Sequence, residues 1–383
     1  MLTAGLVVAG VIAGVALVAT ALVFRSYAAV SRLSGVSPMP AGQGPRVSIV
    51  VAARNEALNV RTAVASFLGQ DYHDVELIVV EDRSTDRTGA ILDEMAAKTS
   101  RLRVVHITDL PPGWLGKNNA LHAGADRATG DILLFVDGDI ILERTSVSRA
   151  VAAMELGADH VTVSPQMELP DRLLQAVTAY FLTWGVVALR IWEVNDPRSS
   201  AFVGIGAFNM VRTKWYRDIG GHARIAMRPD DDLMLGKLLK HSGARQQVFF
   251  GRDQVAVEWY RTLGEATQGF RKNAYAALHY SFALFVGGIS ISLAVGVWPF
   301  AAVWLTTGAT QAAYAFAMAA LMLGFAKTAS EQQMPLWLTL LYPIAALIQL
   351  GMLVLAVGRT IIAGGIEWRG TFYPLDQLRA NKI

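Results

Sequence analysis

The sequence predicts an α/β domain with a doubly wound, mostly parallel sheet, held between apolar helices near its N- and C-terminal ends. Three observations predict it. Short β-branched runs alternate with helical patterns through the middle of the chain. Those runs are apolar almost without interruption, as strands covered on both faces are. The hydrophobic content, 53% of 383 residues, exceeds the usual globular share, and the excess gathers in long segments outside that middle.

The expected strands are Val47–Ala52, Glu76–Val80, Arg103–Ile107, Ile132–Val136 and His160–Val163. Helical patterns fall over Ala57–Leu68, Arg87–Ala97 and Asn118–Ala128. A further helix, Leu233 to His241, is opened by Pro229-Asp230-Asp231-Asp232 and stopped by Gly243. Leu173 to Trp192 is apolar on most of its circumference, with Trp184, Arg190 and Trp192 near one end. It reads either as a core helix or as a helix lying in a membrane interface, and the interface is favoured.

Leu2 to Phe24 carries no charge and is long enough to span a bilayer. No positive region precedes it, as a signal peptide would require. Arg25, Arg32 and Arg46 follow it, which places the N-terminus outside and the next domain in the cytoplasm. Near the other end, Phe282–Trp304, Ala312–Ala326 and Leu336–Val357 are candidate spans. The expected division is residues 1–25, a first span; 46–275, the α/β domain; 280–358, a C-terminal membrane region; and 359–383, a tail. Three C-terminal crossings would put Arg359, Arg369, Arg379 and Lys382 outside, against the same rule. One segment is therefore expected to be re-entrant or miscounted.

Composition excludes several functions. The absence of cysteine rules out disulfides, thiolate zinc sites and Cys nucleophiles. With 34 basic and 31 acidic residues there is no basic stripe for nucleic acid. A transporter would need ionisable groups within the spans; Lys327 and Glu331 are expected in a loop.

In an open parallel sheet, ligands bind outside the carboxyl ends of the strands. Arg54, Asn55 and Glu56 follow the first strand; Glu81, Asp82, Ser84 and Asp86 the second; Asp137 and Asp139 the fourth. Asn55 and Ser84 are also plausible helix N-caps. Asp137-Gly138-Asp139 ends a buried strand in two carboxylates. It reads as a solvated Asp-Gly turn or as a pair of hard oxygen ligands for Mg²⁺ or Mn²⁺. Asp230–Asp232 exceeds what a helix start needs, and mutual repulsion would raise a pKa in a way that suits a general base. Gln268-Gly269-Phe270-Arg271-Lys272 stands just before the membrane region, as a basic anchor or as part of a site.

Taken in order, these motifs resemble family 2 glycosyltransferases of the GT-A fold. The resemblance is to the membrane-bound branch that includes ceramide glucosyltransferases, hopene-associated glycosyltransferases and carotenoid-acid glycosyltransferases, and it runs from Val47 to Trp368-Arg369-Gly370-Thr371. It implies that Arg54, Asn55 and Glu56 form the first nucleotide-contacting loop, and that Asp82 reads the base of a sugar nucleotide. Lys117, in Gly113-Trp114-Leu115-Gly116-Lys117-Asn118, stands where the family has a basic residue near the donor. Asp137 and Asp139 match the metal-binding DxD, and Asp231-Asp232 matches the acidic pair whose second member is the base. Gly204-Ile205-Gly206-Ala207-Phe208-Asn209 resembles the acceptor-side stretch, with Gly206 and Asn209 as its contacts. It is not a dinucleotide fingerprint, since Asn209 replaces the third glycine. Gln268, Arg271 and Lys272 resemble the Gln-x-x-Arg-Trp motif, with Lys272 in place of Trp. That departure favours one transfer per acceptor over polymer synthesis.

The resemblance implies an inverting transfer from a nucleoside diphosphate sugar, a UDP-sugar being favoured, to a hydroxyl of a lipid acceptor. Asp232 would be the general base, with a divalent cation on the diphosphate. It implies an integral protein of the inner membrane with its catalytic domain in the cytoplasm. Two alternatives stand beside it: transfer to a polyprenyl phosphate, and a nucleotide-sugar-binding membrane protein without catalysis.

Overall fold

A computed structural model describes residues 4–383, so the first three residues of the expected N-terminal span lie outside the described residues. The chain forms two compact units: a sheet unit of residues 30–168, 193–259 and 376–383, and an apolar unit of residues up to Ala29, 169–192 and 260–375.

The sheet unit contains ten strands: β1 (Val47–Ala53), β2 (Val75–Asp82), β3 (Leu102–Ile107), β4 (Ile132–Asp137), β5 (Ile140–Leu142), β6 (His160–Ser164), β7 (Gln166–Glu168), β8 (Asn209–Arg212), β9 (Gln246–Phe250) and β10 (Val255–Glu258). Seven of them form one sheet in the order β3-β2-β1-β4-β8-β6-β9, and β5, β10 and β7 form a smaller one. All pairs in the large sheet are parallel except those of β8, which runs against both β4 and β6. The five expected strands are present and the sheet is mostly parallel. β8 and β9, and the three short strands, were not legible as apolar runs; β8 has only four residues.

Alternate residues of the central strands are buried on opposite faces, which is the physical content of double winding. On one face Ile49, Val51, Leu77, Val79, Leu134 and Val136 pack with Val64 and Phe67 of the helix Val60–Leu68 and with Val151 and Met154 of Ser146–Glu155. On the other, Val50, Ile78, Val80, Leu133 and Phe135 pack with Ala120 and Leu121 of Gly116–Ala125 and with Leu235 and Leu239 of Asp231–His241. Each such side chain contributes roughly 1.5–3 kcal/mol by leaving water.

Among its described residues the apolar unit holds four helices long and apolar enough to cross a membrane: Ala4–Ala29, Phe282–Leu305, Gly308–Glu331 and Leu336–Ala363. The second is broken by a wide turn at Ser292–Val297, followed by Pro299 in the first turn of Trp298–Leu305. The third extends well past the expected Ala312–Ala326. Lys327 and Glu331 therefore lie in its last turns, not in a loop, and pair at 2.6 Å with helical i,i+4 spacing. The fourth opens with a 3₁₀ segment, Leu336–Leu341, and continues as one unbroken helix, Tyr342–Ala363.

The expected helix Leu173–Trp192 ends early. It runs from Arg172 to Ala188, capped by Asp171, whose carboxylate accepts from the Leu174 N–H. Arg190 then turns at φ +50°. This helix, the helix Leu263–Ala277 and a hairpin of β11 (Gly365–Trp368) and β12 (Thr371–Pro374) belong to the apolar unit. Residues 169–192 and 260–275 of the expected 46–275 domain thus belong to the apolar unit, the sheet unit begins earlier, at Val30, and the tail 359–383 divides after Leu375 between the units.

Candidate active site

β1 lies between β2 and β4 with all three parallel, so their carboxyl ends meet on one edge. Ala53 pairs with Glu81, and Ala52 pairs with Asp137. The antiparallel β8 begins at that same edge, with Asn209 opposite Phe135. A strand running the wrong way thus delivers its first residue to the place where its neighbours deliver their last.

At the β1–β2 end the two loops tie to each other. The Asn55 N–H donates to Ser84 Oγ at 3.1 Å, and the Thr85 N–H donates to Asn55 Oδ1 at 2.8 Å. The Glu56 N–H donates to Thr88 Oγ1 at 2.8 Å. Asn55 and Ser84 therefore do not cap helices; the following helices begin at Val60 and Thr88. Asn55 (φ +54°) and Arg83 (φ +55°) hold left-handed conformations, a local cost that clusters at functional sites. The Asp82 carboxylate is buried. It accepts from Arg83 Nε at 2.7 Å and Nη2 at 3.2 Å, and Arg54 Nη1 lies 3.8 Å away. Gly116 opens the helix carrying Lys117, and a Cβ there would sit 2.5 Å from Asp82 Oδ2.

At the β4 end six of the expected residues converge: Lys117, Asp137, Gly206, Asn209, Asp231 and Asp232. Lys117 Nζ lies 2.8 Å from Asp137 Oδ1 and 3.4 Å from Asp231 Oδ2. The Gly206 N–H donates to Asp232 Oδ2 at 2.7 Å, while its carbonyl accepts from the Asp137 N–H at 3.0 Å. A Cβ on Gly206 would lie 2.7 Å from Asp137 Oδ2 and 3.3 Å from Asp232 Oδ2. Both carboxylates thus look onto one glycine. A small cleft here is lined by Lys117, Asp137, Gly206, Asn209, His222, Asp231 and Asp232, among others.

The electrostatics differ from simple repulsion among three aspartates. Asp230 is engaged by Arg228 in a buried two-pronged pair, at 2.8 and 2.6 Å. Asp231 is paired with Lys117. Asp232 titrates above the usual carboxylate range chiefly because it is buried, with the charge of Asp137 adding to the rise; Lys117 and the N–H groups of Leu233 and Gly206 oppose it. Burial disfavours the charged Lys117, but Asp137, Asp231 and Asp232 outweigh it and hold the ammonium above the ordinary lysine range. His222 is pushed down to about 3 by burial and then by Lys117, so it is a neutral wall, its Nδ1 2.8 Å from Tyr216 Oη.

Three supporting residues were missed by sequence reasoning. Asn118 Nδ2 donates to the carbonyls of Ile225 and Arg228 at 2.7 and 2.9 Å, anchoring the loop that leads to Asp230. Its adjacency to Lys117 was the available signal. The Arg228–Asp230 pair was visible only as i,i+2 spacing. His160 bonds Asn209 Oδ1 through Nε2 and Gln246 through Nδ1, and no pattern links those three positions.

Asp139 follows on the partly exposed turn after Asp137. Among the described residues no three His, Cys, Asp or Glu gather as a metal cage. Two carboxylates at a strand end still fit a hard divalent ion of the Mg²⁺ type, which keeps waters and takes phosphate oxygens for its remaining positions. Gln268, Arg271 and Lys272 belong to a different unit from this cluster. They lie on Leu263–Ala277 in the apolar unit, where Lys272 Nζ sits 4.4 Å from the centre of the Trp368 ring. A tryptophan missing from the motif's own position is thus supplied to Lys272 by the hairpin.

A sheet of this order, with paired acids at one strand end and a separate acid opening a helix, has the GT-A type of fold. Residues 48–220 match the model of the family described as glycosyl transferase family 2. Over those residues the chain is similar to family 2 glycosyltransferases. It is 27% identical over 226 residues to a 4,4'-diaponeurosporenoate glycosyltransferase of Staphylococcus haemolyticus, a match that covers 56% of each chain. It is 34% identical over 105 residues to the probable glycosyltransferase YdaM of Bacillus subtilis, covering 27% of this chain and 25% of that one. The chain therefore spans about half the length, or less, of the curated relatives it matches. The structure of the mannosyltransferase PcManGT from Pyrobaculum calidifontis, in complex with GDP-Man and Mn²⁺, superposes with a TM-score of 0.56 at 18% identity. That match covers 94% of this chain and 99% of that one, and it shows a shared fold.

Proposed function

We propose that this protein is an inverting membrane glycosyltransferase that moves a sugar from a nucleoside diphosphate sugar to a hydroxyl of a lipid. The observation that carries the reading is that Asp137 and Asp232, from separate elements, both face Gly206. Leaving-group and acceptor chemistry are thereby held by different acids within one cleft.

Asp137 and Asp139 would hold Mg²⁺ or Mn²⁺, which when bound supplies neutralisation of charge on the diphosphate. Support comes from the solved mannosyltransferase, which holds GDP-Man and Mn²⁺ on this fold. Asp232, with its raised pKa, takes the proton from the acceptor hydroxyl, and that oxygen attacks the anomeric carbon opposite the diphosphate. Lys117 keeps Asp137 and Asp231 compensated, and as a mobile point charge it can turn toward phosphate. Asp82 and the Arg54–Glu56 loop receive the nucleoside, and Asn209 fixes the acceptor side beside Gly206. Gln268, Arg271 and Lys272 remain candidate phosphate contacts by motif alone.

A lipid acceptor is supported by the four apolar helices and by a relative named for a carotenoid acid. The catalytic unit would face the cytoplasm at the inner membrane, a reading supported by Arg25, Arg32 and Arg46 after the first apolar helix. The test is to supply membranes containing the protein with labelled UDP- and GDP-sugars, with Mg²⁺ or Mn²⁺ or with chelator. Label should enter the lipid extract only when metal is present, with nucleoside diphosphate released. Label confined to soluble product would sink the lipid acceptor; no diphosphate release from any donor would sink catalysis.

A further inference from the structure

We infer that the helix Tyr342–Ala363, although long and apolar enough to cross the membrane, does not cross it. It lies along the leaflet on the side of the sheet unit, with an apolar stripe set into the lipid. This rests on the proposal that the apolar unit is membrane-embedded, and it is reached by following the chain from side to side.

Ala29 ends the first span and leads directly into the sheet unit at Val30. The C-terminal end of that span is therefore on the sheet unit's side. The helix Gly308–Glu331 runs parallel to it. Thr20 Oγ1 donates to the Ala320 carbonyl at 2.6 Å, and one to two turns further along both helices Lys327 stands over the rings of Phe24 and Tyr27. Glu331 is thus on the sheet unit's side and Gly308 is opposite. The chain leaves the sheet unit at Trp259 and passes through Leu263–Ala277, which carries Glu265, Arg271 and Lys272 and is too polar to cross. Phe282–Leu305 must then make the outward crossing that Gly308–Glu331 reverses.

The last leg decides the matter. The segment after Glu331 starts on the sheet unit's side and ends there, because Asp376–Ile383 is part of the sheet unit. Asn381 Oδ1 accepts from the Met227 N–H at 3.0 Å, Asn381 Nδ2 donates to the Arg224 carbonyl at 2.9 Å, and Lys237 Nζ donates to the Ile383 carbonyl at 2.8 Å. Between the two points lies one unbroken helix of 22 residues, about 33 Å long at 1.5 Å per residue. Such a helix cannot enter a bilayer and return. The hairpin after it, with Glu367 and Arg369, cannot make a second crossing.

The surface of the helix agrees. Ala345, Ala346, Leu350, Ala356 and Val357 are buried against protein, while Ile344, Leu347, Val354, Leu355, Ile361 and Ile362 are exposed. Those exposed residues recur at helical spacing and form the one apolar stripe left to meet lipid, the opposite face being covered by protein. The assignment also returns Arg359, Arg369, Arg379 and Lys382 to the side of Arg25 and Arg32, and leaves the connection at Thr306 and Thr307 uncharged on the other side. Three of the four candidate spans cross.

The chain has no cysteine, so single cysteines can be read in an otherwise native background. Arg103→Cys reports the sheet unit, Thr307→Cys the far side, and Gln333→Cys, Arg369→Cys and Lys382→Cys the segment in question. In sealed vesicles of known orientation, an impermeant maleimide should label the last three from the same side as Arg103→Cys and opposite to Thr307→Cys. Labelling of Arg369→Cys from the side of Thr307→Cys would overturn the inference. A fluorophore at Leu347→Cys, Val354→Cys and Ile361→Cys should be quenched at one shallow depth by brominated lipids; a deep maximum at Val354 would mean a crossing. If all five reporters label from both sides and none is quenched by lipid, the membrane reading itself fails, a separate outcome.

Discussion

Asp82 and Asp137 end parallel strands of the same sheet, β2 and β4, on either side of β1, yet their surroundings are opposites. Asp82 is buried and clasped by the flat guanidinium of Arg83, with Arg54 behind it. Asp137 is partly exposed and met by one lysine ammonium. A bidentate guanidinium fixes orientation, whereas an ammonium is a point charge that can be replaced or redirected. The difference teaches that one edge of one sheet can hold a rigid ionic end and an exchangeable one, and the counter-ion chosen distinguishes them.

The largest break in that comparison should come from Asp232, which serves the exchangeable end. Asp232→Asn should lower kcat by about 10²–10⁴ while donor binding persists. In the native enzyme, the acid limb of the kcat profile should lie above the ordinary carboxylate value of about 4, because burial raises this group. Turnover at the native rate in Asp232→Asn, measured by diphosphate release, would remove it from the mechanism. Asp137→Asn should cost on the order of 10² or more and should shift the metal concentration needed for half activity, since one of two hard ligands is gone. An unchanged metal titration would mean that the pair does not hold the ion.

Gly206→Ala tests the glycine between the two acids. Its Cβ would stand 2.7 Å from Asp137 Oδ2, so a carboxylate must move. Overpacking of this kind costs about 1–3 kcal/mol, and activity should fall tenfold or more with the fold intact by circular dichroism. Asp82→Asn probes the rigid end. It weakens a charge-assisted clasp worth about 1.5–3 kcal/mol and should raise the donor KM with little change in kcat. The reverse split would place Asp82 in the chemistry.

Much of this was legible because it lies in β1, β2 and β4. Parallel strands buried on both faces show as apolar runs, and polar residues just beyond them mark the ligand edge. The residues after those runs are the ones found at that edge. What stayed hidden depends on contacts distant in sequence. β8 is too short to show a period, yet it delivers Asn209. Asn55 and Ser84 have cap-like chemistry, but tertiary contact between their loops overrode it. Three consecutive aspartates suggested mutual repulsion, whereas Arg228 and Lys117 compensate two of them and burial acts on the third. The expected apolar helices are all present, but hydropathy measures only what a helix can do, and the docking of Asn381 against Met227 and Arg224 depends on contacts distant in sequence.

The smallest expected effect lies in the histidines that brace the cleft. His160 is pushed down to about 4 and His222 to about 3, both chiefly by burial. Unfolded, each would titrate near 6.5. Above that pH both states are neutral and neither histidine favours one. As pH falls below it, only the unfolded chain takes up the protons, so native stability declines until the folded values are reached. Each histidine should cost about 1 kcal/mol between pH 7 and 5.5. Denaturant titrations of the detergent-solubilised protein across that window should show the loss, and His160→Gln should reduce its slope. His160 holds Asn209 through its Nε2, so the same variant should lower activity modestly at pH 7 as well. A flat stability profile in the native protein would mean that solvent reaches these rings and that the wall beneath Lys117 is wet.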